Sequence, residues 1–112
     1  MEDAQLLRGI LEGCVLAVIA RGETYGYEIL NELDRSGLEN LLEGTLYPVL
    51  TRLEKKGAIY CRKEKSPFGP VRKYYSITEV GEAELKAFRI GYHKIVAAAN
   101  QILNEEGDPN EG

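Results

Sequence analysis

The apolar period changes twice along the chain, at Gly57 and again at Thr78, and few folds accommodate that order. In the stretch EGTLYPVLTRLEKKG, residues 43 to 57, Leu46, Val49, Leu50 and Leu53 fall in one stripe when residues are set about 100° apart, which marks a helix with one buried face. From Ala58 to Lys65 and from Val71 to Ile77 the chain alternates instead, with SPFGP as a turn between, so a two-stranded hairpin is expected. Its second strand sets Val71, Lys73, Tyr75 and Ile77 on one face and Arg72, Tyr74 and Ser76 on the other. Beyond Thr78 the helical period returns: Leu85, Phe88, Tyr92, Ile95, Ala99 and Ile102 recur at spacings of 3 and 4, an a/d seam.

Two helices are expected ahead of this core pattern. The first covers residues 5 to 20, where Leu7, Ile10, Leu11, Cys14, Leu16, Val18 and Ile19 spread widely enough for burial on more than one side, and Gly22 ends it. Thr24 is expected to cap the second, which runs to about Arg35, buries Ile29, Leu30 and Leu33, and stops at Gly37. Thr78, with Glu79 and Glu82 in the first turn, caps a last helix reaching about Asn104. The fold class is therefore mainly α with a β-hairpin.

Net charge is −4 over 112 residues, but it is unevenly placed. Residues 1 to 44 hold 3 Lys or Arg against 9 Asp or Glu, residues 45 to 73 hold 8 against 2, and residues 74 to 112 hold 3 against 7. A basic block between acidic flanks is the footprint expected for a polyanion on a surface otherwise repulsive to it. On the third helix, Gly44, Pro48, Thr51, Arg52 and Lys55 lie opposite the apolar stripe, with Thr45 at the start and Tyr47 and Lys56 at the flanks. Small residues followed by cations suit close entry into a DNA major groove. Pro48 is tolerated if the helix begins near Thr45 or bends there. Arg62, Lys63, Lys65, Arg72 and Lys73 make the hairpin a basic ribbon, the wing of a winged helix-turn-helix; charges that only protect edge strands are the plainer alternative.

The remaining chemistry is sparse. The longest apolar run, Cys14 to Ala20, is far short of the roughly 18 residues of a membrane span, and no signal peptide is expected. Cys14 and Cys61 lack metal spacing, which favours a reducing cytoplasm. His93, the only histidine, is expected to face solvent, and no phosphate loop, metal or cofactor site or nucleophile–base pair is evident, so an enzyme is not expected.

The stretches GILEGCVLAVIARGETYGYEIL, EGTLYPVLTRLEKKGAI and GPVRKYYSITEVGEAEL resemble the successive signatures of the PadR family of transcriptional regulators. The resemblance implies a homodimeric repressor, with residues 1–77 a winged helix-turn-helix head and 78–104 a dimerisation helix; the stretch 105–112, rich in Glu, Asn, Gly and Pro, is expected from its composition to be a disordered tail. Its partners would be double-stranded DNA with a pseudo-palindromic operator, a second copy of the chain, and a small aromatic effector. The expected DNA-contacting set is Tyr25, Gly44, Thr45, Tyr47, Pro48, Thr51, Arg52, Lys55, Arg62, Lys63, Lys65, Arg72 and Lys73. The expected dimer interface joins Leu7, Ile10 and Leu11 to the seam Leu85, Phe88, Tyr92, Ile95, Ala99 and Ile102, although both helices packing on their own head is the alternative. An effector pocket is expected at Phe88, Gly91 and Tyr92, with the ligand received between the aromatic rings. Two departures from the family pattern stand out: Leu42 occupies a position often held by a capping serine, and there is no tryptophan. A winged helix used only for protein interaction is the alternative function.

Overall fold

The computed structural model describes residues 3–104, and its elements run α1 (Asp3–Arg8), α2 (Leu11–Ile19), α3 (Gly26–Arg35), α4 (Glu43–Lys55), β1 (Ile59–Ser66), β2 (Gly69–Ile77) and α5 (Glu79–Leu103). The core is organised around α2, LEGCVLAVI, which buries Leu11, Gly13, Val15, Leu16, Val18 and Ile19. A helix apolar nearly all round has to be surrounded, and α1, α3, α4, α5 and β2 all pack on it. Ile29 and Leu33 from α3, the expected stripe Leu46, Val49, Leu50 and Leu53 from α4, Ala58 and Ile59 after it, Tyr75 from β2 and Leu85 from α5 complete the cluster. Leu30 is only partly buried against it.

The helix expected over residues 5 to 20 is two helices. Gly9 and Ile10 form a turn, in which the Ile10 N–H donates to the Leu7 carbonyl at 2.9 Å. Glycine weakens a helix by about 1 kcal/mol relative to alanine, and here the chain breaks beside it.

Thr24 is also corrected: the N-cap of α3 is Tyr25, with extended backbone and no side-chain cap bond. Thr24 instead pairs with Tyr75, its N–H donating to the Tyr75 carbonyl at 3.1 Å and its carbonyl accepting from the Tyr75 N–H at 2.7 Å. This bridge adds a third strand position to the hairpin and pins its base to the start of α3. The hairpin is one residue out of the expected bounds at the β1 end and two at the β2 end, with only Pro67 and Phe68 in the turn and Ser66 opposite Gly69.

The junction of α4, β1 and α5 is held by hydrogen bonds around Gly57 and Thr78. Gly57 adopts φ +78, a left-handed conformation suited to glycine, and lets the Ala58 N–H return to the Leu53 carbonyl at 2.9 Å. Thr78 caps α5 as expected, its Oγ1 accepting from the Gly81 N–H at 3.1 Å, while its hydroxyl donates to the Gly57 carbonyl at 2.5 Å. Gly81 lies directly on the Ala58 carbonyl and the Ile77 side chain, leaving no room for a Cβ. One turn later Leu85 enters the core; beyond it α5 runs largely exposed, giving the molecule a longest dimension of 60 Å.

Three expected dimer residues pack within their own chain instead. Leu11 and Leu85 are 6% and 2% exposed within their own chain, because both lie where α2 and α5 close the head. The ring of Phe88 likewise covers Gly13 of α2. The first turns of α5 thus belong to the head, so the expected boundary at residue 78 cuts through a packed unit. The tail expected over 105–112 lies outside the described residues. Among the described residues, no helix is long and apolar enough to cross a membrane.

Gly81→Ala should lower unfolding stability by about 1–3 kcal/mol in denaturant titrations, since backbone has to shift to admit the methyl group. Gly44→Ala, where an added Cβ meets nothing within 4 Å, should leave stability unchanged or raise it by up to about 1 kcal/mol.

Candidate nucleic-acid interface

α4 turns Gly44, Thr45, Tyr47, Pro48, Thr51, Arg52 and Lys55 to its exposed side. Leu42 is the N-cap, extended at φ −111 and ψ 163, with no side-chain cap bond, and Asn40 turns the chain at φ +68. Because the helix starts at Glu43 rather than near Thr45, Pro48 sits in the second turn. It withholds the N–H that would bond the Gly44 carbonyl, and does so on the exposed side, where water can reach that oxygen. Thr51 Oγ1 donates to the Tyr47 carbonyl at 2.9 Å. The Tyr47 hydroxyl rests against Gly26 at the start of α3, where an added Cβ would lie 2.7 Å away.

A cleft of about 690 Å³ opens between the starts of α3 and α4 and the hairpin. Tyr25, Tyr47, Lys65, Arg72, Lys73 and Tyr74 are among its lining residues. The Tyr25 and Tyr74 rings meet edge to face with centroids 5.7 Å apart, and Arg72 lies 4.9 Å over Tyr25. At the wing tip the Phe68 N–H donates to Ser66 Oγ at 3.3 Å, which steadies the turn, and the Phe68 side chain is 96% exposed.

The cations fall into two groups. Arg52 Nε and Lys56 Nζ donate to Glu12 of α2 at 3.2 and 2.5 Å, and Lys56 also reaches Glu84 of α5 at 3.3 Å. Partial burial pushes the Glu12 carboxyl up, but Lys56 and Arg52 outweigh it and hold the group below its ordinary value. Arg62 is paired with Glu23 and Glu64. Among the described residues, Lys55, Lys63, Lys65, Arg72 and Lys73 have no carboxylate within salt-bridge distance, and four of these five line the hairpin.

On α5, Phe88 and Tyr92 stack with centroids 6.0 Å apart and planes 28° from parallel, and His93, exposed, meets Tyr92 edge on. A planar ring inserted between two others needs about 7 Å, twice the contact distance between carbons. The expected slot between Phe88 and Tyr92 is therefore closed within one chain, although Gly91 beside it has nothing within 4 Å of a Cβ position. Further along, Tyr92, Ile95 and Ile102 are 37%, 68% and 71% exposed, and Ala99 is half-buried. On α1 and the following turn, Leu7 and Ile10 are half-buried.

Sequence reasoning missed Glu12, Glu23, Tyr74 and Phe68 as parts of this surface. Glu12 lies 40 and 44 positions from its cationic partners and Glu23 lies 39 from Arg62, so no local spacing reveals the pairs. Tyr74 and Phe68 carried a weak signal, as aromatic residues within a basic ribbon.

A family model described as the transcriptional regulator PadR-like family matches residues 15–87. A solved Streptococcus transcriptional regulator is 40% identical, with a TM-score of 0.77 over 89% of this chain and 98% of that one. A PadR-like transcriptional regulator from Bacillus cereus is 38% identical, with a TM-score of 0.77 over 88% and 96%. Bacillus subtilis PadR, solved in complex with operator DNA, is 25% identical, with a TM-score of 0.65 over 72% of this chain and 47% of that one.

The Glu12 ion pairs give a pH signature. A carboxyl lowered by folding adds stability that is present above the unfolded value, here near 4.5, and is lost as pH falls through the folded value. Glu12→Gln should therefore unfold more easily than wild type at pH 7, and the difference should shrink below about pH 4.5 in paired urea titrations.

Proposed function

The chain belongs to the transcriptional regulator PadR-like family, and from that premise we propose that it is a DNA-binding regulator acting as a homodimeric repressor on a pseudo-palindromic operator. One observation carries the reading: a cleft lined by Tyr25, Tyr47, Lys65, Arg72 and Lys73 opens at the start of α4, whose outward face is small and exposed, and Lys55 on α4 and Lys63 on the hairpin add cations with no carboxylate partner among the described residues. α4 enters the major groove, where Gly44, Thr45 and Pro48 permit close approach. The wing lies on flanking phosphates through Lys63, Lys65 and Lys73, while Tyr25, Tyr47 and Arg72 face DNA from the cleft. Thr51 commits its hydroxyl proton to the Tyr47 carbonyl, so toward a base it offers lone pairs and a methyl group, suited to an amino donor or a thymine methyl. Arg52, turned to Glu12, touches DNA only by leaving that pair. The operator complex of the Bacillus subtilis relative supports the DNA partner.

A second copy would cover the exposed part of the seam, Tyr92, Ile95, Ala99 and Ile102, with Leu7 and Ile10 at its margin. Unpartnered apolar side chains along a projecting helix support that pairing. A small aromatic effector would lie against the Phe88–Tyr92 stack beside Gly91, at the dimer interface, and would act only by preferring one spacing of the two heads. A protein-interaction module remains the competing function, and salt dependence separates the two.

Lys63→Ala and Lys65→Ala should weaken binding to all duplex sequences about equally, each lowering the salt slope by about one unit, while Thr51→Ala and Lys55→Ala should cost about 1–3 kcal/mol at particular base pairs. Wild-type binding that ignores salt would point to the interaction module, and uniform losses from all four would put α4 on the backbone instead of in the groove. For assembly, Ile95→Glu or Ile102→Glu should turn a micromolar dimer into a monomer in sedimentation, with the head still folded. A carboxylate in an apolar interface costs several kcal/mol.

A further inference from the structure

Arg62 stands apart from the other wing cations. Its Nε and Nη2 donate to the two oxygens of Glu23 at 3.0 Å each, a side-on fork, and Nη1 reaches Glu64 at 3.3 Å. The Glu23 carboxyl is held below its ordinary value by this contact. With two carboxylates beside it, Arg62 has little charge or donor capacity left for a phosphate. Its guanidinium carbon lies 4.7 Å from the centroid of the Tyr74 ring, directly across the hairpin in register. Tyr74 meets Tyr25 edge to face, and Tyr25 carries Arg72 at 4.9 Å. The contacts run unbroken from Glu23, ahead of α3, out to the wing, back to the α3 N-cap and out again. Arg72 at the far end has no carboxylate partner among the described residues and faces the cleft.

We propose that Arg62 is a positioning residue for DNA binding and not a phosphate contact: clamped by Glu23 and stacked on Tyr74, it sets Tyr25, and through Tyr25 it holds the Arg72 guanidinium ready in the cleft. The inference rests on the DNA-binding reading above. A planar, forked cation is required at this place, since lysine has neither the fork nor the flat face. The long Arg72 side chain is then ordered before DNA arrives, which removes part of the entropic cost of binding.

The test measures operator affinity across a salt series for Arg62→Lys, Arg62→Gln and Glu23→Gln, with amide hydrogen exchange of β2 in the DNA-free proteins. Arg62→Lys, which keeps the charge, and Arg62→Gln, which removes it, should each weaken binding about tenfold and leave the salt slope at the wild-type value. Glu23→Gln should also weaken binding, although it removes a negative charge beside the DNA, and β2 exchange should quicken in all three. The proposal is overturned by wild-type affinity in Arg62→Lys, by a slope lowered by about one in Arg62→Gln, or by unchanged or tighter binding in Glu23→Gln. A wild-type protein with no salt-dependent affinity for DNA would remove the DNA-binding reading instead, and the exchange rates would still decide whether Arg62 holds the wing.

Discussion

Everything in this head leans on the burial of α2. LEGCVLAVI carries one charged residue, Glu12, and a helix so poor in polar groups is stable in water only when neighbours cover it. Burying each leucine, isoleucine or valine is worth about 1.5–3 kcal/mol, so the elements that cover α2 are selected by area, not by specific bonds. The two exceptions on α2 are instructive. Gly13 is flat enough to receive the Phe88 ring, and Glu12 receives Arg52 and Lys56. The same turn of α2 thus anchors the C-terminal half of α4 and, through the Lys56–Glu84 pair, the beginning of α5.

Those ion pairs change the meaning of the basic block. Of its cations, Arg52, Lys56 and Arg62 are matched to carboxylates from the acidic flanks, leaving Lys55, Lys63, Lys65, Arg72 and Lys73 for an external polyanion. Exposed pairs of this kind add little stability, about 0–1 kcal/mol each. Their larger effect is directional: they turn some side chains away from the cleft and leave others facing it. The acidic flanks accordingly do two things, keeping the remaining surface unattractive to DNA and holding the structural cations in place.

Besides the apolar packing of Ile59, Tyr75 and Ile77 at its base, the wing meets the head through two polar and aromatic contacts. The Thr24–Tyr75 backbone pair sets its base, and the stack from Arg62 to Arg72 sets its face toward the cleft. Neither depends on the tip, where Phe68 stands bare between cationic strands.

Local pattern determined the hairpin between two helices, the buried stripe of α4 and the Thr78 cap, because each is set by residues within one or two turns of each other, but it missed the break at Gly9 and Ile10, and on β2 only Tyr75 of the expected face is fully buried. It also marked the outward face of α4, since the face opposite a buried stripe is fixed by helical geometry. What only the tertiary structure decided was which residues are already engaged. Leu11 and Leu85 carry the same apolar signal as Ile95 and Ile102, yet the first pair closes the head and the second stands exposed. Arg62 carries the same charge as Lys63, yet Glu23, distant in sequence, claims it. Thr24 has the side chain of a cap, yet a backbone partner on β2 holds it as strand. Local pattern gives a side chain its chemistry; its partner depends on which distant segments the buried α2 brings together, and spacing along the chain carries no record of that.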